Sequence, residues 1–192
     1  NEEKGVNHPV LFTGMTPVKW NENNIEIETT EDDSDWYDYD EKRWANAKSK
    51  DGSYWVWIPR YAYKITDGYH SSTTGTIDVK FLKGRTNETV DETSIETEGY
   101  DPGGKNTSGH HFLHPAFQFN GDELGFWIAK FEPTAVEGIS TTGSTCDIAD
   151  NTTTKTVKIL PTETSWRCIT VSNAFNVSLE MKNKTDVYGW LS

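Results

Sequence analysis

The run Tyr54-Trp55-Val56-Trp57-Ile58-Pro59-Arg60-Tyr61-Ala62-Tyr63-Lys64-Ile65 constrains the fold more than any other part of the chain. Rings and β-branched side chains fill it, and these suit a pleated, half-buried surface. Asp51-Gly52, just before it, is a hairpin-turn signal. Pro59 lacks the N–H that a ladder needs, so it marks a bulge or a strand edge. If the alternation of sides survives that proline, Trp55, Trp57, Tyr61 and Tyr63 fall on one face. The rest of the chain also leans on rings. With 8 Trp, 8 Tyr and 8 Phe, aromatic residues make up 12% of 192 residues. A core built from such rings buries large areas per side chain, and this length is enough to enclose one.

Around that run the pattern alternates between short strands and polar loops. Gly14-Met15-Thr16-Pro17-Val18-Lys19-Trp20 reads as a turn leading into an extended piece. Residues 25–29 alternate apolar and polar at the strand period, and residues 77–82 and 157–160 read as further strands. The segment His114 to Phe119 predicts an extended piece joined through Asn120-Gly121 to a buried strand over 124–132. Residues 66–110 and 134–156 are otherwise rich in Thr, Gly, Ser and Asn, as loops are. Val171, Ala174, Phe175 and Leu179 recur at helical spacing and predict a helix there. An acidic run from Glu31 to Glu41 is interrupted by Trp36, Tyr37 and Tyr39 and followed by Trp44. Rings in that number imply a segment folded against the body rather than a disordered acidic tail.

The formal charge of −12 argues against nucleic acid as a partner, because phosphates would be repelled. No apolar run is long enough to span a membrane, and no signal peptide is visible. The chain starts with Asn1 rather than Met, as a processed product or part of something longer would. The two cysteines, Cys146 and Cys168, allow one bridge or two free thiols. Cys168 lies in apolar company and is expected to be buried rather than reactive. Asn-x-Ser/Thr occurs at Asn87, Asn106, Asn151, Asn176 and Asn183, a pattern that chance produces in a chain rich in Asn and Thr.

Few constellations suggest chemistry. His110, His111 and His114 could meet a zinc or nickel ion on a helix, but Gly109 and Pro115 bracket them into a loop, and no Glu follows the first as in metalloproteases. They read as structural or surface histidines. Asp38, Asp40 and Glu41 are weak candidates for Ca²⁺, as are Asp147 and Asp150, yet no Asp-x-Asp-x-Asp-Gly loop occurs. A solvated acidic face accounts for them better. There is no Gly-x-Ser-x-Gly elbow, no Gly-rich phosphate loop, and no nucleophile-like setting around either cysteine. Rings in loops remain, since Trp and Tyr stack on sugars or anchor interfaces. Trp36, Tyr37, Tyr39, Tyr69 and Tyr100 are the candidates for binding a ligand, unless they cover the core.

Three of these segments together resemble the formylglycine-generating-enzyme-like, or sulfatase-modifying-factor, fold of the wider C-type-lectin-like group. They are Trp55 to Arg60, Phe126 to Thr134, and Ser165-Trp166 with the helix holding Asn173, Ala174 and Phe175. A second likeness is to poorly described proteins of anaerobic gut Firmicutes and their phages. They share the runs Gly14 to Trp20, Lys42 to Ala47, Trp55 to Tyr63, His114 to Phe117 and Asn173 to Asn176. Some of these follow a pilin-like helix, and others sit among phage structural genes. The first resemblance implies an α+β domain over residues 50–192, with a twisted, mostly antiparallel sheet, one or two helices and long loops, and residues 1–49 packed on it. The region holding the enzymes' catalytic cysteine pair has no match, so no catalytic residue carries over. The second implies display outside the cell, on a virion surface or a bacterial surface or appendage. The expected role is non-catalytic recognition of a host glycan or protein. The alternatives are a purely structural subunit, contacting neighbours in an assembly, and a formylglycine-generating-type enzyme. No cofactor is expected.

Overall fold

A computed structural model describes residues 5–69, 71–91, 97–98, 110–118, 123–140 and 148–183. Its architecture is α+β, with mostly antiparallel sheets, long loops and, among the described residues, one α-helix. The chain divides into two compact units, Asn1–Val10 with Trp57–Phe126, and Leu11–Val56 with Trp127–Ser192. Residue 49 lies inside a hairpin whose strands β3 (Asn46–Lys48) and β4 (Tyr54–Pro59) pair antiparallel, Lys48 opposite Tyr54. Gly52, at φ 84°, takes the turn between them, as the Asp-Gly signal predicted.

The unit holding residues 11–56 is built on β1 (Thr16–Trp20), β2 (Glu26–Glu28) and β3, with β4 beside them. The five-stranded order is β2-β1-β3-β4-β9, where β9 is Gly125–Ala129. The registers Trp20↔Glu26, Val18↔Asn46 and Lys48↔Tyr54 put Trp20, Asn46, Lys48 and Tyr54 on one side. The opposite side carries Ala47 and Trp55 into a core with Met15, Val157, Ile159 and Val177. Val157 and Ile159 come from β11 (Val157–Ile159), which pairs with β10 (Pro133–Ala135). Polar groups in this core are satisfied: Trp55 Nε1 donates to Ser49 Oγ at 2.9 Å, and Ser53 Oγ accepts from Ile159 N at 3.0 Å.

The predicted helix forms as α1 (Val171–Asn183), but its buried stripe differs from the expected one. Val177 and Met181 pack on the core, whereas Val171, Phe175 and Leu179 are 88%, 66% and 50% exposed. The helix is apolar on two sides, and the sheet takes the side that holds Val177. Cys168 is half-buried and disulfide-bonded, so the buried thiol expected there is absent; Cys146 lies outside the described residues.

The unit holding residues 57–126 carries a four-stranded sheet of order β6-β5-β8-β7: β5 (Tyr61–Asp67), β6 (Thr76–Phe81), β7 (Thr97–Glu98) and β8 (His111–Leu113). Its core gathers Ala62, Leu82, Leu113 and Phe117. The expected single face of four rings does not survive Pro59. Trp55 and Trp57 are buried in β4, then Pro59 and Arg60 are both buried in succession. Beyond them the buried position is Ala62, and Tyr61 and Tyr63 are only half-buried. The chain leaves one sheet for another at this point, and the parity shifts with it. Arg60 is held by the Thr86 carbonyl at 3.2 Å and Asn87 Oδ1 at 3.3 Å. The extended piece predicted over 114–119 is also displaced. Residues 111–113 form the strand, and Pro115–Phe117 form a 3-10 turn, whose backbone Ala116 N donates to His114 Nδ1 at 3.3 Å. Pro115 at the first helical position presets that turn. Asn120-Gly121 lies outside the described residues.

Candidate functional site

Of the five rings expected to meet a ligand, two are buried, two are half-buried and one lies outside the described residues. Trp36 is 1% exposed, and its Nε1 donates to the Asn46 carbonyl at 2.8 Å. Tyr37 is also buried, and Tyr39 is half-buried. Together with Trp44 they form a ladder with centroid spacings of 5.6, 5.2 and 5.3 Å. Burial pushes the Tyr39 hydroxyl far above its usual range, so it stays protonated. Trp36 and Tyr37 are therefore core residues rather than binding platforms, because their faces are spent on each other and on the body. Tyr69 is half-buried and joins no groove described below, and Tyr100 lies outside the described residues.

The acidic candidates serve a turn. Asp38 Oδ1 accepts from Asp40 N at 3.1 Å and Glu41 N at 3.3 Å, and Asp38 and Arg43 exchange backbone bonds. Asp150 is buried and paired with Lys155 at 2.6 Å; Asp147 lies outside the described residues. The histidines part company as well. His111 sits in β8 with Nε2 2.8 Å from Asp78 Oδ2. His114 is surrounded by Tyr61, Phe117 and Phe126, with centroids 5.2–6.4 Å away, and burial lowers its pKa. Among the described residues no three His, Cys, Asp or Glu side chains are grouped to hold a metal ion. No described helix is long and apolar enough to cross a membrane.

A groove of about 710 Å³ lies elsewhere, at the end of β1 and the turn into β2. That volume falls in the range of small-molecule sites. Trp20 lines it and is 36% exposed. Its ring lies 6.3 Å from that of Tyr54, and the Lys130 ammonium sits 4.5 Å from its centroid. Lys130 also donates to Asn46 Oδ1 at 2.5 Å, while Asn46 Nδ2 donates to the Trp44 carbonyl at 2.7 Å. Burial lowers the Lys130 pKa. The indole is thus braced from one side by a cation that is itself anchored. Behind it, Glu26 accepts from Lys48 at 2.9 Å and from the Tyr54 hydroxyl. Burial alone would raise the Glu26 pKa, but those two partners hold it below its ordinary value.

The turn is shaped by its first residue. Asn21 Oδ1 accepts from Asn23 N at 3.0 Å and Ile25 N at 2.9 Å, which fixes the loop without using the side chains of Glu22 and Asn23. Lys19, on the groove wall, is committed to Asp33 at 2.6 Å, and that partner, with Thr29, draws the Asp33 pKa down to about 2. Arg43 and Asp35 meet only across 3.8 Å and are exposed. The groove therefore offers an exposed indole, the apolar Ile27, and four polar side chains left for a ligand: Glu22, Asn23, Asp35 and Arg43. Nothing in the arrangement pairs a nucleophile with a base. The sequence signal for it was a ring at a strand end followed at once by a polar turn, Trp20-Asn21-Glu22-Asn23.

The chain matches no family model, no curated protein and no solved structure.

Proposed function

We propose that this protein is a non-catalytic recognition module that takes a saccharide in the groove beside Trp20. The observation that carries the reading is the company of that indole. A sugar presents a C–H face that stacks on a ring, and hydroxyls that seek carboxylate, amide and guanidinium partners. The groove brings both kinds of group together, with Glu22, Asn23 and the exposed Asp35–Arg43 pair on its lining. Display on a virion or on a bacterial envelope or appendage follows from the shared sequence runs described above. A fold of the C-type-lectin-like kind rests on the three segments that resemble the sulfatase-modifying-factor fold. Nucleic acid is a poor partner for a chain of charge −12.

Binding to immobilised glycans tests this. The wild-type chain is expected to retain a defined set of glycans. Trp20→Ala is expected to weaken that binding roughly fivefold or more, in line with the cost of losing a stacked ring, about 1–3 kcal/mol, while its far-UV circular dichroism stays unchanged. Retention that ignores Trp20→Ala would remove the groove from the reading.

A second reading, a structural subunit with no ligand, is favoured by one observation. The outward side of α1 carries Val171, Phe175 and Leu179 into solvent, as a surface covered by neighbours in an assembly would.

A further inference from the structure

We infer that the groove selects neutral saccharides, with vicinal hydroxyls, over sialylated, uronate-bearing or sulfated ones, an inference that rests on the saccharide reading above. The charge ledger of the groove decides it. Lys19 is neutralised by Asp33 at 2.6 Å. Lys130 keeps its charge but is held by Asn46 and the Trp20 ring and does not line the groove. The ionised side chains left to face a ligand are Glu22, Asp35 and Arg43, two anions and one cation. Asp35 stands beside the one cation, 3.8 Å from Arg43. An anionic sugar would have to displace that carboxylate to reach the guanidinium, in a groove that Glu22 also lines. The rest of the molecule adds to the repulsion, since the chain carries −12.

A neutral sugar meets the opposite situation. A carboxylate is acceptor-only, with two oxygens, and adjacent hydroxyls can donate to both. Arg43 supplies donors for a ring or hydroxyl oxygen, and Asn23 supplies one group of each kind. The indole takes the C–H face. Glu22, Asn23 and the loose Asp35–Arg43 pair can then each meet a hydroxyl of matching polarity, and no charge is buried against its like.

The experiment is a glycan array holding neutral, sialylated, uronate-containing and sulfated members. It is probed with the wild-type chain, Trp20→Ala and the double variant Glu22→Gln with Asp35→Asn, at low and physiological salt. Neutral glycans are expected to bind roughly tenfold or more tighter than acidic ones of the same core, from like-charge repulsion at close range. Their binding should change little with salt, which screens charge but not stacking. The double variant lies on exposed side chains; it should weaken neutral binding and narrow the gap to acidic glycans. Wild-type binding that favours acidic members, or strengthens sharply as salt is lowered, overturns the selectivity and leaves the saccharide reading standing. Equal binding of both classes does the same. Binding to no glycan, or binding unaffected by Trp20→Ala, overturns both.

Discussion

Gly125 has no room for a side chain. A methyl placed on it would lie 2.3 Å from Trp57 Cζ2 and 2.6 Å from the Ile58 carbonyl oxygen. The indole is buried and its Nε1 is tied to the Asn7 carbonyl at 3.2 Å, so it has little freedom to retreat. Gly125→Ala is expected to cost about 1–3 kcal/mol, the ordinary penalty of overpacking, measured as a lowered denaturant midpoint. An unchanged midpoint would mean that the ring gives way. The same scale shows what a residue's neighbours in sequence do not disclose. Trp36 and Tyr37 sit among carboxylates, and the rings there imply a folded segment without saying which ring is covered. Trp36 is the largest of the fully buried side chains among the described residues, and it bonds to β3. Which ring of an acidic run is covered depends on a partner ten residues away, at Asn46. Trp20 is the converse: an unremarkable strand residue in sequence, left open because its strand ends where the turn begins.

At the scale of the elements the local chemistry was legible and the facing was not. The Asp-Gly turn, the strand over 25–29, those at 77–82 and 157–160, and the helix from Val171 all appear, because turn residues and periodicity act locally. The side each presents depends on what packs against it. Two stripes compete on α1, and the one through Val171, Phe175 and Leu179 lost although it is the more regular in sequence. This makes a sharp contrast of variants. Val177→Ala removes two buried methyl groups from the core and should cost about 2 kcal/mol. Phe175→Ser removes a ring from solvent and should stay within about 0.5 kcal/mol of wild type. Urea unfolding of the two variants reads the difference directly. A large loss in Phe175→Ser would mean that the outward side of α1 is covered in solution, as the structural-subunit reading requires, and analytical ultracentrifugation would then show association. The extended piece displaced from 114–119 to His111–Leu113 has a similar cause: His114 and Pro115 suit the start of a helical turn more than they suit a ladder.

Over the whole molecule, the titratable groups set a stability profile with two acid steps. His114 has a folded pKa below 6.5 because burial penalises its charged form. Between that lowered value and 6.5 the unfolded chain holds a proton that the folded one refuses. Stability is therefore full above about pH 6.5 and declines as the pH falls through the folded value. Protonation also takes away the Nδ1 acceptor that Ala116 N uses at the turn before Phe117, a fully buried core ring. A second decline follows at lower pH. Glu26, Asp33 and Asp150 all have lowered pKa values: Glu26 through Tyr54 and Lys48 against its own burial, Asp33 chiefly through Lys19, and Asp150 chiefly through Lys155. What they contribute is present above their unfolded values of 4.5 and 3.8, and for Asp33 it is lost as the pH falls to about 2. On the alkaline side, Lys48 and Lys80 have pKa values raised above 10.5, chiefly by their bonds to Glu26 and Asp91, so their share persists until the pH climbs through those folded values. Denaturant unfolding between pH 2 and 8 should thus give a plateau, a shallow step below about 6.5 and a deeper one below about 4.5. His114→Asn keeps an oxygen to cap the turn but cannot titrate, so it should erase the upper step and spare the lower. If the upper step survives in that variant, its proton is held elsewhere, and the cage of rings around His114 is not what senses the acid.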